Sequence, residues 1–342
     1  MERNKADPCV LKRTTDKGTT IIAIYVDDCM CLGDHEAVQE LIQDIEARFK
    51  IKRMGQLSEY VGAKYKVGRD KIEISQDDLI DSLNKTQPWL SNPPVTPAAQ
   101  GYVLLPTEGA FPMNSEQLQI FRSGVGKCLY LSKLSRPDIS NSLRELSRYM
   151  SNAEVSFQKD LDRLIKYIIG TKEKKLTLTK PKSDQIEIVA YSDSNYASDK
   201  ITRKSVTGYL IFLCGNLIAW RSRMQKCVTL SSTEAEYVAL SQCAQDLIFV
   251  KQFLESLDVE VDLPMTIRVD NTGSIDLARS WTSSGNSKHI DIRHHFIRDL
   301  VEDNIIDLIF VGSDDNLADS FTKNIDQSRF IANRDLYMKS EE

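Results

Sequence analysis

Nothing near the start of this 342-residue sequence stays apolar long enough to cross a bilayer; the longest run there is Ile21 to Val26. Nor does Met1 open on a charged and then apolar leader. No secretory signal is therefore expected, and the chain reads as intracellular, in a cytoplasmic particle or the nucleus, with no membrane partner. The seven cysteines are odd in number, scattered and without a C-x-x-C pair. That excludes a disulfide frame or a cysteine zinc site and leaves reduced thiols, several of them in the core. Internal repeats and low-complexity tracts are also missing. Histidine is scarce, and three of the four, His289, His294 and His295, fall close together. Their spacing fits no usual zinc pattern, so a structural or surface role is expected, with proton transfer near a metal as the alternative.

What is present is the composition of an ordinary globular protein, with 41% hydrophobic and 27% charged residues and length enough for two or three domains. The net charge of -5 argues against a generally adhesive nucleic-acid binder. That average hides an asymmetry. No acidic residue occurs from Ile201 to Thr233, while Arg203, Lys204, Arg221, Arg223 and Lys226 all do. Phosphate recognition depends on such a local surface more than on the sum.

Periodicity divides the chain into three stretches. In residues 1–96, two short strands flank Asp27 and Asp28, and a helix with Val38, Leu41, Ile42, Ile45 and Phe49 on one face follows, Asp34 standing at its N-cap. Short strand-like pieces come next, around Tyr60 to Val67 and Lys71 to Ile74. Residues 97–184 lie within and beyond an extended linker (Gln87 to Pro112) and carry helical stripes at Ile139, Leu143, Leu146 and Met150 and at Leu161, Leu164, Ile165 and Ile168. The polar, basic stretch from Thr171 to Asp184 reads as a boundary. In residues 185–330 the order is strand, hairpin strands about Cys214-Gly215-Asn216, long helix, strand, helix, helix, strand and a last helix opening near Asn316. The expected fold class is α+β and α/β, ending in a mixed-sheet domain.

Four acids occupy strand ends and helix starts in that last stretch: Asp193, Glu236, Asp270 and Asp319. Such positions converge on one edge of a sheet, where sites are built. Carboxylates that converge repel one another and call for cations. Hard oxygen ligands select Mg²⁺, with Mn²⁺ the alternative, and two such ions can cleave a phosphodiester. Taken singly, each acid could equally be a helix cap or a solvated group.

The strings YSDSNYASDKITRKSVTGYLIFL, IAWRSRMQKCVTLSSTEAEYVAL, VDNTGSI, KHIDIRHHFIRD and NLADSFTK resemble, in that order, the ribonuclease H domain of copia-class LTR retrotransposon Pol polyproteins. The resemblance implies cleavage of the RNA strand of an RNA–DNA hybrid, with Asp193, Glu236, Asp270 and Asp319 as ligands of two Mg²⁺ ions and no small-molecule cofactor. Within SSTEAEY it favours Glu236, because E-Y-V-A-L fits the family's helix opening, and leaves Glu234 as a helix-terminal charge. Arg203, Lys204, Arg221, Arg223 and Lys226 would then hold phosphates, and Ser231, Ser232, Thr233 and Asn271 would reach the backbone or a 2′-hydroxyl. Solvated strand residues are the plainer reading of each base, and Trp220 reads as a core or sheet-face aromatic.

Tyr25-Val26-Asp27-Asp28 resembles the metal-binding hairpin of reverse transcriptases, although Asp-Asp at a turn is common for turn reasons alone. RFKIKRMGQLSEYVGAKYKV, KIEISQ and SGVGKCLYLSKLSRPDISNSLRELSRYMS are similar to the palm end, thumb and connection of the same family. In that family an earlier palm aspartate and the fingers precede the hairpin by many residues, and only 24 residues precede Tyr25 here. A truncated palm and thumb, no polymerisation by this chain alone, and the upstream polymerase part as a partner are the expectations. Phe157-Gln158 departs from the family's Pro and His. A non-catalytic, nucleic-acid-binding remnant is the alternative to a nuclease, and an integrase-type nuclease is a weaker third.

Overall fold

A computed structural model describes residues 1–84, 92–279 and 288–340 of the chain. Strands β1 (Glu2–Arg3), β2 (Val10–Thr15), β3 (Gly18–Tyr25) and β4 (Asp28–Gly33) pair antiparallel in chain order. Helix α1 (His35–Glu46) crosses this sheet and buries Ala37 and Leu41. Asp34 stands at its N-cap as expected, but the carboxylate accepts the Thr19 amide at 2.8 Å instead of capping the helix. Phe49, expected on the apolar stripe, falls beyond the helix end and is exposed.

Next come β5 (Glu59–Tyr60), β6 (Ala63–Val67), β7 (Lys71–Ser75) and α2 (Asp77–Asn84). The 20-residue helix α3 (Ser115–Leu134) was not legible from the sequence pattern. Gly124 and Gly126 lie within it, and its buried apolar residues Phe121, Val125, Cys128 and Leu131 form a narrow stripe. Its start is marked all the same: Asn114 and Gln117 exchange side-chain and backbone hydrogen bonds as a capping box. Helices α4 (Ser140–Ser147) and α5 (Gln158–Gly170) pack on α3 around one core. Phe157, the family departure, is buried in that core.

The stretch Thr171–Asp184, expected as a boundary, instead carries β8 (Lys174–Thr179), which pairs with β7. Its partner on the other side is β14 (Met338–Ser340), so segments from three regions of the chain share one sheet of order β14-β8-β7-β6-β5. Alternation was hidden by Lys175 and Thr177, which are buried along with Leu176.

The third sheet is the one the carboxylates sit on. It contains β9 (Ile188–Asn195), β10 (Val206–Leu213), β11 (Asn216–Met224), β12 (Met265–Val269) and β13 (Ile306–Phe310), in the order β11-β10-β9-β12-β13. Strands β9 to β11 are antiparallel, and β12 and β13 run parallel to β9. This is the mixed sheet expected from the sequence. The hairpin between β10 and β11 turns on Cys214 and Gly215, both at positive φ (48° and 77°). One face is covered by α6 (Ser232–Glu255), α7 (Thr272–Arg279) and α8 (Lys288–Glu302), burying Ile188, Ala190, Tyr209, Ile267 and Leu240 among others. The opposite face meets α9 (Asp319–Thr322) and α10 (Gln327–Tyr337) through Leu210, Phe212, Phe321 and Tyr337. The helix opening near Asn316 is thus the single turn α9, and the last helix is α10. Among the described residues, no helix is long and apolar enough to cross a membrane.

Gly208 is where α9 meets the sheet. A Cβ there would lie 2.6 Å from Thr322 Cγ2, 2.9 Å from Phe321 Cβ and 3.1 Å from the Ala318 carbonyl. Gly208→Ala should therefore lift α9 off β10 and cost about 1–3 kcal/mol in urea denaturation. Unchanged stability would show that α9 tolerates the added methyl.

Candidate metal centre

Asp193 belongs to β9, the central strand, and its neighbour across the ladder is Gly208 of β10. Glu236 lies in the first turns of α6, and Asp270 directly follows β12. One carboxylate oxygen from each of these three residues lies within 4.8 Å of the others, and among the described residues no other group of three possible ligands meets so closely. Asp193 is 2% exposed and Glu236 7%. Two carboxylates seldom enter a protein interior together without compensation.

Local structure explains how the chain brings them there. Ser231 caps α6 by accepting the Glu234 amide at 3.1 Å, and Glu234 folds back to accept the Leu230 amide at 2.6 Å. Glu234 is thus a helix-terminal charge, while Glu236, half a turn on, faces Asp193. Glu236 Oε1 accepts the Ser194 amide at 3.2 Å and the Ser194 hydroxyl at 2.9 Å. Its Oε2 is buried and has no hydrogen-bond partner. That orphaned oxygen, inside a cluster of hard donors, suits a divalent cation.

Asp319, at the start of α9 and 1% exposed, joins the cluster from the other face of the sheet but stands outside the three-acid group. Its Oδ2 accepts a hydrogen bond from an Arg329 guanidinium nitrogen at 3.1 Å, and its Oδ1 lies 2.8 Å from Lys323 Nζ as an ion pair without a hydrogen bond. Thr322 donates its hydroxyl to Asp193 Oδ2. Asn316, fully buried, donates to the Ser192 carbonyl at 3.0 Å and accepts the Ala318 amide at 3.1 Å, tying the α9 turn to β9. Asn316, Thr322, Lys323, Arg329 and Gly208 were not singled out in the sequence. Each acts through a contact made only when α9 docks, so spacing carries no sign of it.

Burial, followed by repulsion from Asp319, pushes the Asp193 carboxyl up to about 7, against the Thr322 hydroxyl and the Lys323 charge. Burial and the charges of Asp193 and Asp270 raise Glu236 well above the usual carboxylate range, against two hydrogen bonds from Ser194. Burial pulls the Lys323 amine down, but its pairing with Asp319 and the charges of Asp193, Asp319 and Asp270 leave it raised.

The basic residues divide. Arg203, at φ 57°, and Lys204 lie in the loop between β9 and β10. Asp199 organises that loop by accepting the amides of Ile201 (2.9 Å) and Thr202 (3.3 Å) and the Thr202 hydroxyl (2.7 Å). Arg148, just past α4, binds Asp199 at 2.7 Å and so fastens this loop to the helical segment. Arg221 is engaged by Asp246 at 3.2 Å. Exposed Arg223 and Lys226 line, with Arg221, Arg293 and buried Ser241, a groove of about 370 Å³ between β11 and α6. Ser232 is exposed at the start of α6 and Thr233 half-buried beside it, whereas Asn271 spends its side-chain Oδ1 accepting the Ser274 amide of α7 (2.8 Å). Trp220 is a sheet-face aromatic, donating to the Ser132 carbonyl at 2.8 Å.

Asp27 and Asp28 stand exposed at the β3–β4 turn, where Val26 adopts φ 54°. No third possible ligand joins them among the described residues. His295 is exposed and bonds Arg298; the side chains of His289 and His294 lie outside the described residues.

No protein-family profile matches the sequence. The chain is 30% identical over 334 residues, 95% of its length, to the Retrovirus-related Pol polyprotein from transposon TNT 1-94 of Nicotiana tabacum, covering 25% of that protein. With the corresponding polyprotein from transposon RE2 of Arabidopsis thaliana it shares 30% identity over 319 residues, 92% of this chain and 21% of the relative. It thus spans about a quarter of the length of these curated relatives. Among solved structures, an RNase H1 isolated from compost aligns with 40% of this chain and 93% of its own, at 18% identity and a TM-score of 0.32.

Proposed function

Because the chain belongs among the retrovirus-related Pol polyproteins of copia-type transposons, we propose that it is a divalent-metal-dependent nuclease cutting the RNA strand of RNA–DNA hybrids. One observation carries the reading: the unpartnered, buried Glu236 Oε2 within a group of three carboxylates at the end of the central strand. Asp193, Glu236 and Asp270 would hold Mg²⁺, with Asp319 on the Asp193 side. When bound, the ions supply a Lewis acid and charge neutralisation at a phosphodiester.

The remaining work falls to the chain itself. Ser194 fixes the rotamer of Glu236 through two hydrogen bonds, and Thr322 fixes that of Asp193. Arg223 and Lys226 offer their charges to phosphates along the β11 edge, and the Asp199 loop presents Arg203 and Lys204 beyond β9. Ser232 and Thr233, in the first turn of the helix that carries Glu236, would meet a 2′-hydroxyl. The polymerase part of the longer relatives is the proposed partner. Asp27 and Asp28 alone give no reason to expect primer extension.

The reading is tested by incubating the full chain with an end-labelled RNA–DNA hybrid, beside single-stranded RNA and duplex DNA. RNA cleavage confined to the hybrid, present with Mg²⁺ and absent with a chelator, is the expected outcome. An intact hybrid at micromolar protein and millimolar Mg²⁺ or Mn²⁺ would refute it. For the phosphate track, Arg223→Ala with Lys226→Ala should weaken hybrid binding and reduce the slope of log K against log salt by about 2. An unchanged slope would remove both residues from the interface.

A further inference from the structure

Asp319 differs from the other three acids in its company. It is as buried as Asp193, but both of its oxygens are already ion-paired, to Lys323 at 2.8 Å and to Arg329 at 3.1 Å. These two cations are unequal. Arg329 is held elsewhere as well, by the Ser313 carbonyl at 2.7 Å and Asp314 at 3.4 Å. Lys323 follows α9 directly in extended backbone, its amide bonded to the Asp319 carbonyl at 3.0 Å, and its side chain is 45% exposed. Asp319 is its one ion-pair partner among the described residues, and Asp193 and Asp270 are near enough for their charges to act on it. An ammonium with an open path to solvent thus sits on the Asp319 side of the cluster, and Asp319 is the neighbouring charge that raises Asp193 most.

We infer that Lys323 is a built-in, displaceable cation of this centre, neutralising the Asp319 side so that divalent ions bind in two unequal stages. The inference rests on the metal-dependent reading above. The first ion goes to Asp193, Glu236 and Asp270, where no cation among the described residues makes a close pair and Glu236 Oε2 is unpartnered. The second needs Asp319, and Lys323 must leave it. Lys323 is then a positioning residue: it sets the spacing between the two affinities and keeps the buried acids tolerable when metal is scarce. A flexible lysine suits this better than Arg329, which is fastened at three points.

Mn²⁺ titration of the metal-free full chain, followed by calorimetry and by the spin-resonance signal of free Mn²⁺, tests it. The parent should bind one ion tightly and a second at least about tenfold more weakly, the scale set by one unit charge at close range. Lys323→Met should tighten the second site about tenfold or more and leave the first unchanged, while Lys323→Arg should keep the parent pattern. Lys323→Gln, which keeps a polar group, serves if the Met variant fails to fold, and should also tighten the second site. Two equal sites in the parent, or an unaltered second affinity in the Met and Gln variants, would overturn the role of Lys323 alone. No Mn²⁺ binding by the parent at all would overturn the metal-dependent reading with it.

Discussion

Asp193→Asn is expected to lower Mg²⁺-dependent cleavage of a hybrid by on the order of a thousandfold while making the metal-free protein more stable at pH 8. The two effects have one cause. Burial and the nearby Asp319 raise the Asp193 carboxyl from the ordinary 3.8 to about 7. Between those values the folded chain holds a proton that the unfolded chain has released, so stability falls as pH rises through that window and is greatest below it. The loss for this group is on the order of a few kcal/mol by pH 8, and Glu236 shifts in the same direction. An amide cannot ionise, so Asp193→Asn should flatten the dependence of Tm on pH between 4 and 8 (roughly the window just derived). Added Mg²⁺ should stabilise the parent at pH 8 far more than the variant. A parent Tm that rises steadily from pH 4 to 8 without metal would contradict the account of the cluster, whatever the activity. Cleavage undiminished in Asp193→Asn would contradict its catalytic part.

The largest expected loss of stability lies away from that centre. Arg136 and Asp138, 1% and 4% exposed, form a bidentate pair at 2.9 and 2.8 Å. Arg136 also donates to the Thr171 hydroxyl (2.7 Å) and the Ile168 carbonyl (3.3 Å). Tyr167 donates to Asp138 at 2.6 Å, and Arg334 of α10 reaches the Tyr167 hydroxyl at 3.3 Å. One buried network therefore joins the end of α3, the end of α5 and the helix that precedes β14. Arg136→Ala leaves Asp138 buried with its charge uncompensated and should cost about 3–5 kcal/mol in urea denaturation. Arg136→Met combined with Asp138→Leu should recover a large part of that, because removing both charges removes the desolvation penalty as well. A loss under about 1 kcal/mol in Arg136→Ala would mean that water reaches Asp138 and the network is not dry. If the double variant were no better than the single, packing around the pair, and not the stranded charge, would be the cause.

The order of strands and helices from Ile188 to Phe310 was legible because each element carries its own periodicity, and the turn at Cys214-Gly215 announces its hairpin. A carboxylate directly after an apolar strand, or one turn into a helix, is a local pattern, and it marked Asp193, Glu236, Asp270 and Asp319 as candidates, of which the first three meet within 4.8 Å. Sequence by itself thus determined which residue types could meet at one sheet edge, while the substrate class proposed for them came from the family resemblance. It did not decide how they meet. Glu236 rather than Glu234 faces the cluster because Ser231 and Leu230 capture Glu234, a matter of helix phase. Asp319 comes near enough for its charge to act on Asp193 because Gly208, opposite Asp193 in the ladder, leaves room for α9. Lys323 and Arg329 then compensate Asp319, and Arg148 holds the Asp199 loop from 51 residues away. Strand β8 had to find β7 and β14 before its lysines and threonines made sense as a strand. These outcomes belong to the tertiary structure for one reason: each depends on partners far apart in the chain, whose attraction or repulsion exists only after packing has excluded water between them.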